Sequence, residues 1–182
     1  MFQIFFTLGT IIVTFQLVWG TVPDEPNIRL LSMPTPTIMF MVGGLLLFID
    51  VCHLLKLHIP IRISSLAAGS LARPGVYTVI EDVVAVDGQG GKAYRTALDE
   101  RYRASPLFQR MLLHISFFWS FGALLMAGLL TVVIYTVPVE VAFGIGWGVP
   151  FVWAGIWTLL TFRYVGASLT REKAGWISDA KK

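Results

Sequence analysis

The sequence predicts an all-α integral membrane protein with four transmembrane helices. Hydrophobic residues make up 55% of the 182-residue chain, and charged residues make up only 14%, against about a quarter in soluble domains. Long runs with few or no charges recur along the sequence. A chain of this size has too little interior to bury so much apolar surface away from water, so the excess is expected to face lipid.

Four apolar runs have the length of a membrane span. A helix needs about 20 apolar residues to cross a hydrocarbon core about 30 Å thick, and the absence of two-residue alternation favours helices over strands. No Lys or Arg precedes the first run, so we interpret it as a span and not as a signal peptide. The predicted spans of this single membrane domain are residues 2–19, 37–55, 111–135 and 146–162.

The positive charges predict the orientation. Of the 14 Lys and Arg residues, eight lie in the middle segment 56–110, five follow the fourth span, and Arg29 alone lies in the loop 21–36. Four crossings place the middle segment and the C-terminus on one side of the membrane, which then carries 13 of the 14. By the positive-inside rule this side is cytoplasmic, or the equivalent side of an organelle membrane. Both termini are therefore expected in the cytoplasm, with residues 163–182 as a cytoplasmic tail.

The middle segment 56–110 is expected to contain short amphipathic helices. In residues 76–86 the apolar side chains recur at helical spacing, although the valines also suit a strand. Glycines at 88, 90 and 91 predict a turn at 87–91, followed by a second helix at 92–103. Ser105 and Pro106 are typical of a helix N-cap and first helical position, so the third membrane helix is expected to begin there. The helical pattern at 76–86 consists of Val76, Val79, Ile80 and Val83, with Glu81 and Asp82 opposite.

Three ionisable residues lie within the predicted spans, where such residues are costly and often functional. His53 and His114 each lie about one turn inside the cytoplasmic end of a span, a placement that suits two axial ligands of haem b or of another His-ligated pigment. Asp50, three residues before His53, is a candidate to accept the second ring N–H of His53. The alternative is that both histidines bond interfacial water or headgroups. A metal site is not predicted, because no fourth ligand is evident.

The third predicted span carries small residues along one face, at i, i+4, i+7 and i+11. Small residues let helix backbones approach closely, which drives helix association in lipid. Glycines 144, 146, 148 and 155 are expected to act similarly around the fourth span. The predicted helix-packing residues of the third span are Ser116, Ser120, Ala123 and Ala127.

Three functions of different classes fit this pattern. The first is a non-catalytic accessory or structural subunit of a larger membrane complex, because packing surfaces are abundant and no nucleophile–base pair is evident. The second is a haem or pigment-binding electron-transfer subunit that uses His53 and His114. The third is an interfacial lipid-modifying enzyme that uses Glu81, Asp82 and Asp87. The expected partners are the lipid bilayer and other membrane proteins. Nucleic acid is not expected, since Lys-rich blocks interleaved with aromatic residues are missing.

Overall fold

A computed structural model describes residues 2–60 and 62–179, and describes no side chains at residues 2–5, 87 and 175–179. Over the described residues the secondary structure is helical and contains no strand, which confirms the predicted all-α class. A π-helical turn, Val83–Asp87, directly follows α4. The α-helices are α1 (Phe2–Thr21), α2 (Ile28–Leu31), α3 (Pro34–Leu54), α4 (Gly75–Asp82), α5 (Gly91–Ala104), α6 (Pro106–Thr136) and α7 (Val139–Asp179).

Three helices of the described chain are long and apolar enough to cross a membrane. They are α3, α6 and the part of α7 from Val139 to Ala174. The apolar part of α1 with described side chains, Phe6–Thr21, is shorter. Large apolar side chains along these helices are exposed, among them Phe48, Leu125 and Leu159 at 62%, 66% and 65%. Such exposure is expected of helices whose surroundings are lipid.

Helix α6 begins where its sequence predicts. Its first residue is Pro106, and the Ser105 hydroxyl oxygen accepts a hydrogen bond from the backbone N–H of Phe108 at 3.1 Å. This bond satisfies one of the N–H groups that lack a partner in the first turn. The segment at 76–86 is helical, so the strand alternative is wrong for it.

Helix α7 is much longer than the predicted fourth span. Only Val137 and Pro138 separate it from α6, so the helix begins seven residues before the predicted start of the fourth span at residue 146. Glycines 144, 146, 148 and 155 all lie within this helix. At its other end α7 continues through the predicted tail as far as Asp179.

The chain divides into two compact units, each described separately. The first contains residues 1–48 and 119–155. In it, Gln16 of α1 donates to the hydroxyl of Thr37 at 2.8 Å. The guanidinium of Arg29 donates to the carbonyls of Ile134 and Val137, the latter at 3.1 Å. A cation is favourable at a helix C-terminus, where carbonyls lack partners, so Arg29 caps α6.

The second unit contains residues 49–118 and 156–182, and so includes the whole middle segment. Helix α4 is almost completely enclosed in it: Gly75, Val76, Tyr77, Thr78 and Glu81 are all buried. Helix α5 buries Leu98 and Tyr102. The middle segment therefore has its own packed interior, which contains several polar groups.

Candidate functional site

Asp50 lies fully buried where α3 meets the start of α4. Its Oδ1 accepts hydrogen bonds from the backbone N–H of Gly75 at 2.8 Å and from the Ser116 hydroxyl at 2.7 Å. The Ser116 oxygen also accepts from the backbone N–H of Val76 at 3.1 Å. The first N–H groups of a helix lack internal partners and attract negative charge. Asp50 and Ser116 therefore cap α4 from two other helices, in place of Pro74, whose side chain makes no capping bond.

His53 is half-buried one turn after Asp50 on α3. Its Nδ1 lies 2.7 Å from the backbone carbonyl oxygen of Ala72. Because a carbonyl can only accept, Nδ1 is the nitrogen that carries a proton. The structure thus has no described bond between His53 and Asp50. His53 bonds the carbonyl of Ala72 and Asp50 bonds the N–H of Gly75, both on the backbone that leads into α4.

His114 occupies a different face of its helix from the one that meets α3. Ser116 of α6 contacts Asp50 of α3, and His114 lies two residues earlier, which is about 200° around the helix. The His114 Nδ1 is instead 3.1 Å from the hydroxyl of Tyr164 on α7. The antiparallel Asp50–Ser116 contact places His53 at a depth close to that of His114, as their sequence positions suggested. Their rings nevertheless turn to different neighbours, and the structure gives the haem hypothesis no support.

Two of the three acidic residues of the enzyme hypothesis pair with Arg95 in the structure. Glu81 is fully buried, and its Oε1 accepts from Arg95 at 3.3 Å. Asp82 lies 3.8 Å from the same guanidinium. The expected orientation of the helix was wrong, because Glu81 is inside while Val83 is 51% exposed. Arg95 supplies the charge that makes burial of Glu81 tolerable. The side chain of Asp87 lies outside the described residues.

Arg73 forms a cluster that the sequence analysis did not identify. Its guanidinium carbon lies 4.6 Å from the ring centroid of Tyr77 and 4.8 Å from that of Tyr102, and it pairs with Asp99. Burial acts to raise the pKa of Asp99, but bonds and charges from Arg73 and Arg103 hold that pKa below its usual value. Burial raises the pKa of Tyr77 to about 12. The cluster joins the start of α4 to α5.

Glu172 joins the extension of α7 to the junction of α5 and α6. Its Oε1 accepts from the Ser105 hydroxyl at 2.6 Å, and its Oε2 accepts from Arg101 at 2.8 Å. Ser105 thereby caps α6 and binds α7 with one hydroxyl group. Both partners of Glu172 are distant in sequence, so no local sequence pattern indicates these contacts.

The small-residue stripe of α6 is buried. Its members are Ser116 (0% exposed), Ser120 (0%), Ala123 (7%) and Ala127 (0%). A Cβ atom on Gly43 of α3 would lie 3.0 Å from the Cβ of Ala123 and 3.1 Å from the carbonyl oxygen of Ser120. This close approach favours the predicted packing role for the stripe, and Ser116 adds the capping bonds.

The glycines near the start of α7 fall into two groups. A Cβ on Gly146 would lie only 2.3 Å from the carbonyl oxygen of Ser32, so Gly146 is needed for contact within the first unit. Gly144 and Gly148 are exposed, and a Cβ on either would meet no described atom within 4 Å. These two glycines, one turn apart, are therefore not used for packing inside the chain.

Gly144 and Gly148 form the floor of a shallow apolar groove with a volume of about 550 Å³. We call it the α7 groove. The exposed carboxylate of Glu140 lies at its end, one turn before Gly144. The groove is lined by Glu140, Val141, Gly144, Ile145, Gly148, Val149 and Val152.

A comparison with protein families identifies where the chain belongs. A family model described as "Domain of unknown function (DUF8766)" matches residues 1–176. Since this is nearly the whole chain, the protein belongs to that family. No curated protein and no solved structure matches it.

Proposed function

We propose that this member of the DUF8766 family is a non-catalytic membrane subunit that binds a transmembrane helix of another membrane protein in the α7 groove. The observation that carries the proposal is the contrast among neighbouring glycines. Gly146 packs closely against Ser32, whereas Gly144 and Gly148 are exposed at the surface. Glycines of this spacing in a membrane helix are typical of helix association.

The groove offers the physical basis for association in lipid. Water-driven hydrophobic attraction is lacking there, so helices associate by close van der Waals contact and interhelical polar bonds. Gly144 and Gly148 permit a second backbone to approach. Each is followed by a β-branched residue, Ile145 or Val149, whose side chain is already restricted in a helix and loses little entropy on contact.

The charge at the end of the groove favours a different protein over a second copy. Copies inserted in the same orientation would pair with parallel α7 helices, and their Glu140 carboxylates would meet at the same end. Like charges facing each other across an interface are unfavourable. A partner helix with small residues at i and i+4 and with Lys or Arg at the corresponding end complements Glu140.

The paired state of the buried acids supports a non-catalytic role. Asp50 caps α4, Glu81 pairs with Arg95, Asp99 pairs with Arg73 and Glu172 holds α7. These carboxylates stabilise the middle segment. The segment then acts as a rigid element within the second unit.

The topology that belongs to this proposal has four crossings with both termini in the cytoplasm. Helix α1 has 20 residues without a charge, or about 30 Å of helix, which matches the hydrocarbon thickness. Arg29 is the one basic residue on the predicted non-cytoplasmic side. Its guanidinium donates hydrogen bonds to carbonyl groups at the C-terminal end of α6. Single cysteines at Glu25 and Thr96, introduced after Cys52→Ser, should label from opposite faces of the membrane; labelling from one face contradicts this topology.

The proposed assembly is tested by filling the groove. Protein from its own membrane is purified in mild detergent as wild type and as Gly144→Leu/Gly148→Leu, and complex mass is measured by native mass spectrometry. Gly128→Leu is the matched control, because a Cβ on Gly128 of α6 also meets no described atom within 4 Å. We expect a partner subunit in wild type and in Gly128→Leu that is absent from the double variant. A partner retained by the double variant, or a mass that corresponds to two copies of this chain, contradicts the proposal.

A further inference from the structure

Two groups of basic residues differ in their surroundings within the second unit. The first group pairs with carboxylates: Arg73 with Asp99, Arg95 with Glu81 and Asp82, Arg101 with Glu172, and Arg103 with Asp99. The second group has seven members among the described residues, of which Arg62, Lys92, Arg171 and Lys173 lie away from the predicted spans. The remaining three border those spans: Lys56, Arg110 and Arg163. All three are exposed, and in the part of the chain that the structure describes no ion pair joins them to a carboxylate.

The contacts between helices place these three cations in one narrow layer. Asp50 lies opposite Ser116 on the antiparallel α3 and α6, so Lys56, six residues after Asp50, lies level with Arg110, six residues before Ser116. His114 lies opposite Tyr164 on α7, which puts Arg163 five residues of helix, or about 7.5 Å, deeper than Arg110. This spread is comparable to the thickness of one headgroup layer, about 5–7.5 Å.

The backbone at Lys56 gives an independent indication. Lys56 N–H donates to His53 O at 3.0 Å and Leu57 N–H donates to Cys52 O at 2.9 Å, which is the Schellman end of a helix. Lys56 occupies its left-handed position with φ of +52°, where glycine is favoured and a side chain is strained. Strain at a single residue is a reason to look for a role of its side chain.

The neighbours of Lys56 show what surrounds it. Leu54, Leu55 and Leu57 are 56%, 64% and 46% exposed, and apolar side chains so open to the outside are expected to contact lipid. A lysine among them extends its charged end outward to the lipid phosphates while its methylene chain stays in apolar surroundings. The exposed Tyr164 beside Arg163 is also typical of the membrane interface.

We infer that Lys56, Arg110 and Arg163 form a binding surface for the headgroups of anionic phospholipids. The surface is made by the end of α3, the start of α6 and a turn inside α7, and its cations are held in one layer by the Asp50–Ser116 and His114–Tyr164 contacts. It does not depend on the partner helix proposed for the α7 groove. Attraction between a basic residue at the surface and anionic lipid corresponds to about a fivefold change in affinity per charge.

The inference is tested by native mass spectrometry of the purified protein with added phosphatidylglycerol or phosphatidylcholine of identical acyl chains. Wild type should prefer phosphatidylglycerol. The triple variant Lys56→Gln/Arg110→Gln/Arg163→Gln should lose more than tenfold of that preference, because each basic residue contributes about fivefold in affinity. The single variant Lys56→Gln should lose about fivefold of the preference. Its control is Lys92→Gln, which removes an exposed charge from α5 and should leave the preference unchanged. Equal loss in Lys92→Gln and Lys56→Gln, or no preference in wild type, overturns the inference.

A second variant separates lipid binding from a structural role of Lys56. Glycine at position 56 preserves the left-handed conformation and relieves its strain. Lys56→Gly should therefore melt at the wild-type temperature or above it in detergent, yet bind phosphatidylglycerol about fivefold more weakly. Unchanged lipid preference in Lys56→Gly contradicts the assignment of Lys56 to this surface.

Discussion

The hydroxyl of Ser116 on α6 donates to the carboxylate of Asp50 on α3 at 2.7 Å, and together the two side chains cap α4. This relationship assigns a structural role to the one carboxylate inside the apolar part of α3. It also sets the relative depth of α3 and α6, since one hydrogen bond fixes which residues lie level on two antiparallel helices.

Removal of the Asp50 carboxylate should loosen the start of α4. Asp50→Ala leaves the buried N–H of Gly75 without its partner, at a cost of about 1–3 kcal/mol. Ser116→Ala should cost about 1 kcal/mol, and the effects of the two substitutions should not add, since both belong to one network. Hydrogen exchange of residues 75–82 measures this directly. Thr96→Ala, on the exposed side of α5, should leave that exchange unchanged; unaltered exchange in Asp50→Ala contradicts the capping role.

A positive charge alone at position 73 should not maintain the stability of the Arg73 cluster. Arg73→Lys keeps the charge but loses the planar group that lies over the rings of Tyr77 and Tyr102, and lysine does not replace arginine at such a site. We expect a loss of about 1–2 kcal/mol in the free energy of unfolding. Denaturant unfolding in detergent measures the loss. Arg103→Lys, at a more exposed partner of Asp99, is the control and should change it by less than half as much.

The lowered pKa of Asp99 predicts acid sensitivity of the middle segment. Because the folded-state pKa lies below the unfolded value of about 3.9, the stabilisation is fully present above that value and is lost as the pH falls through the folded-state pKa. Thermal melting from pH 7 to pH 3 should show a decrease that begins near pH 4. Asp99→Asn should show a smaller decrease, because it removes this titration; identical profiles would exclude Asp99 as a source.

Neighbouring glycines of α7 should respond differently to a single methyl group. Gly146→Ala places a Cβ 2.3 Å from the carbonyl oxygen of Ser32, so backbone must move, at about 1–3 kcal/mol. Gly144→Ala and Gly148→Ala should be neutral or slightly stabilising, since the space is open and alanine favours helix. Melting temperatures in detergent distinguish the three. Equal destabilisation of all three variants contradicts the separation into internal and open glycines.

The membrane helices were predictable because apolar runs of spanning length leave few other solutions. The start of α6 was predictable from Ser105 and Pro106, which are local signals. The length of α7 was not predictable from local signals. The fourth span was predicted to begin at residue 146, whereas the helix begins at Val139, and Gly146 contacts Ser32, which lies far away in sequence. The extension of α7 is held by Glu172 through equally distant partners.

The candidate site residues show the same limit. Asp50 was predicted to accept a bond from His53, whereas in the structure it accepts from Ser116 and from the backbone. Its backbone partner is the N–H of Gly75, which a pattern of side chains does not reveal. His53 and His114 were placed at similar depths by counting residues from the helix ends. Depth fixes the position along a helix but not the direction around it, and His114 points to Tyr164.

The most direct test of the proposed partner site is photocross-linking in the native membrane. A photoreactive residue replaces Ile145, which lines the α7 groove, and in the control it replaces Phe143, which is exposed about 200° around the same helix. We expect Ile145 to cross-link to a transmembrane segment of a different protein that has Lys or Arg at the end facing Glu140, and Phe143 to give no such product. Cross-links from Ile145 to lipid or to this chain alone would contradict the central claim.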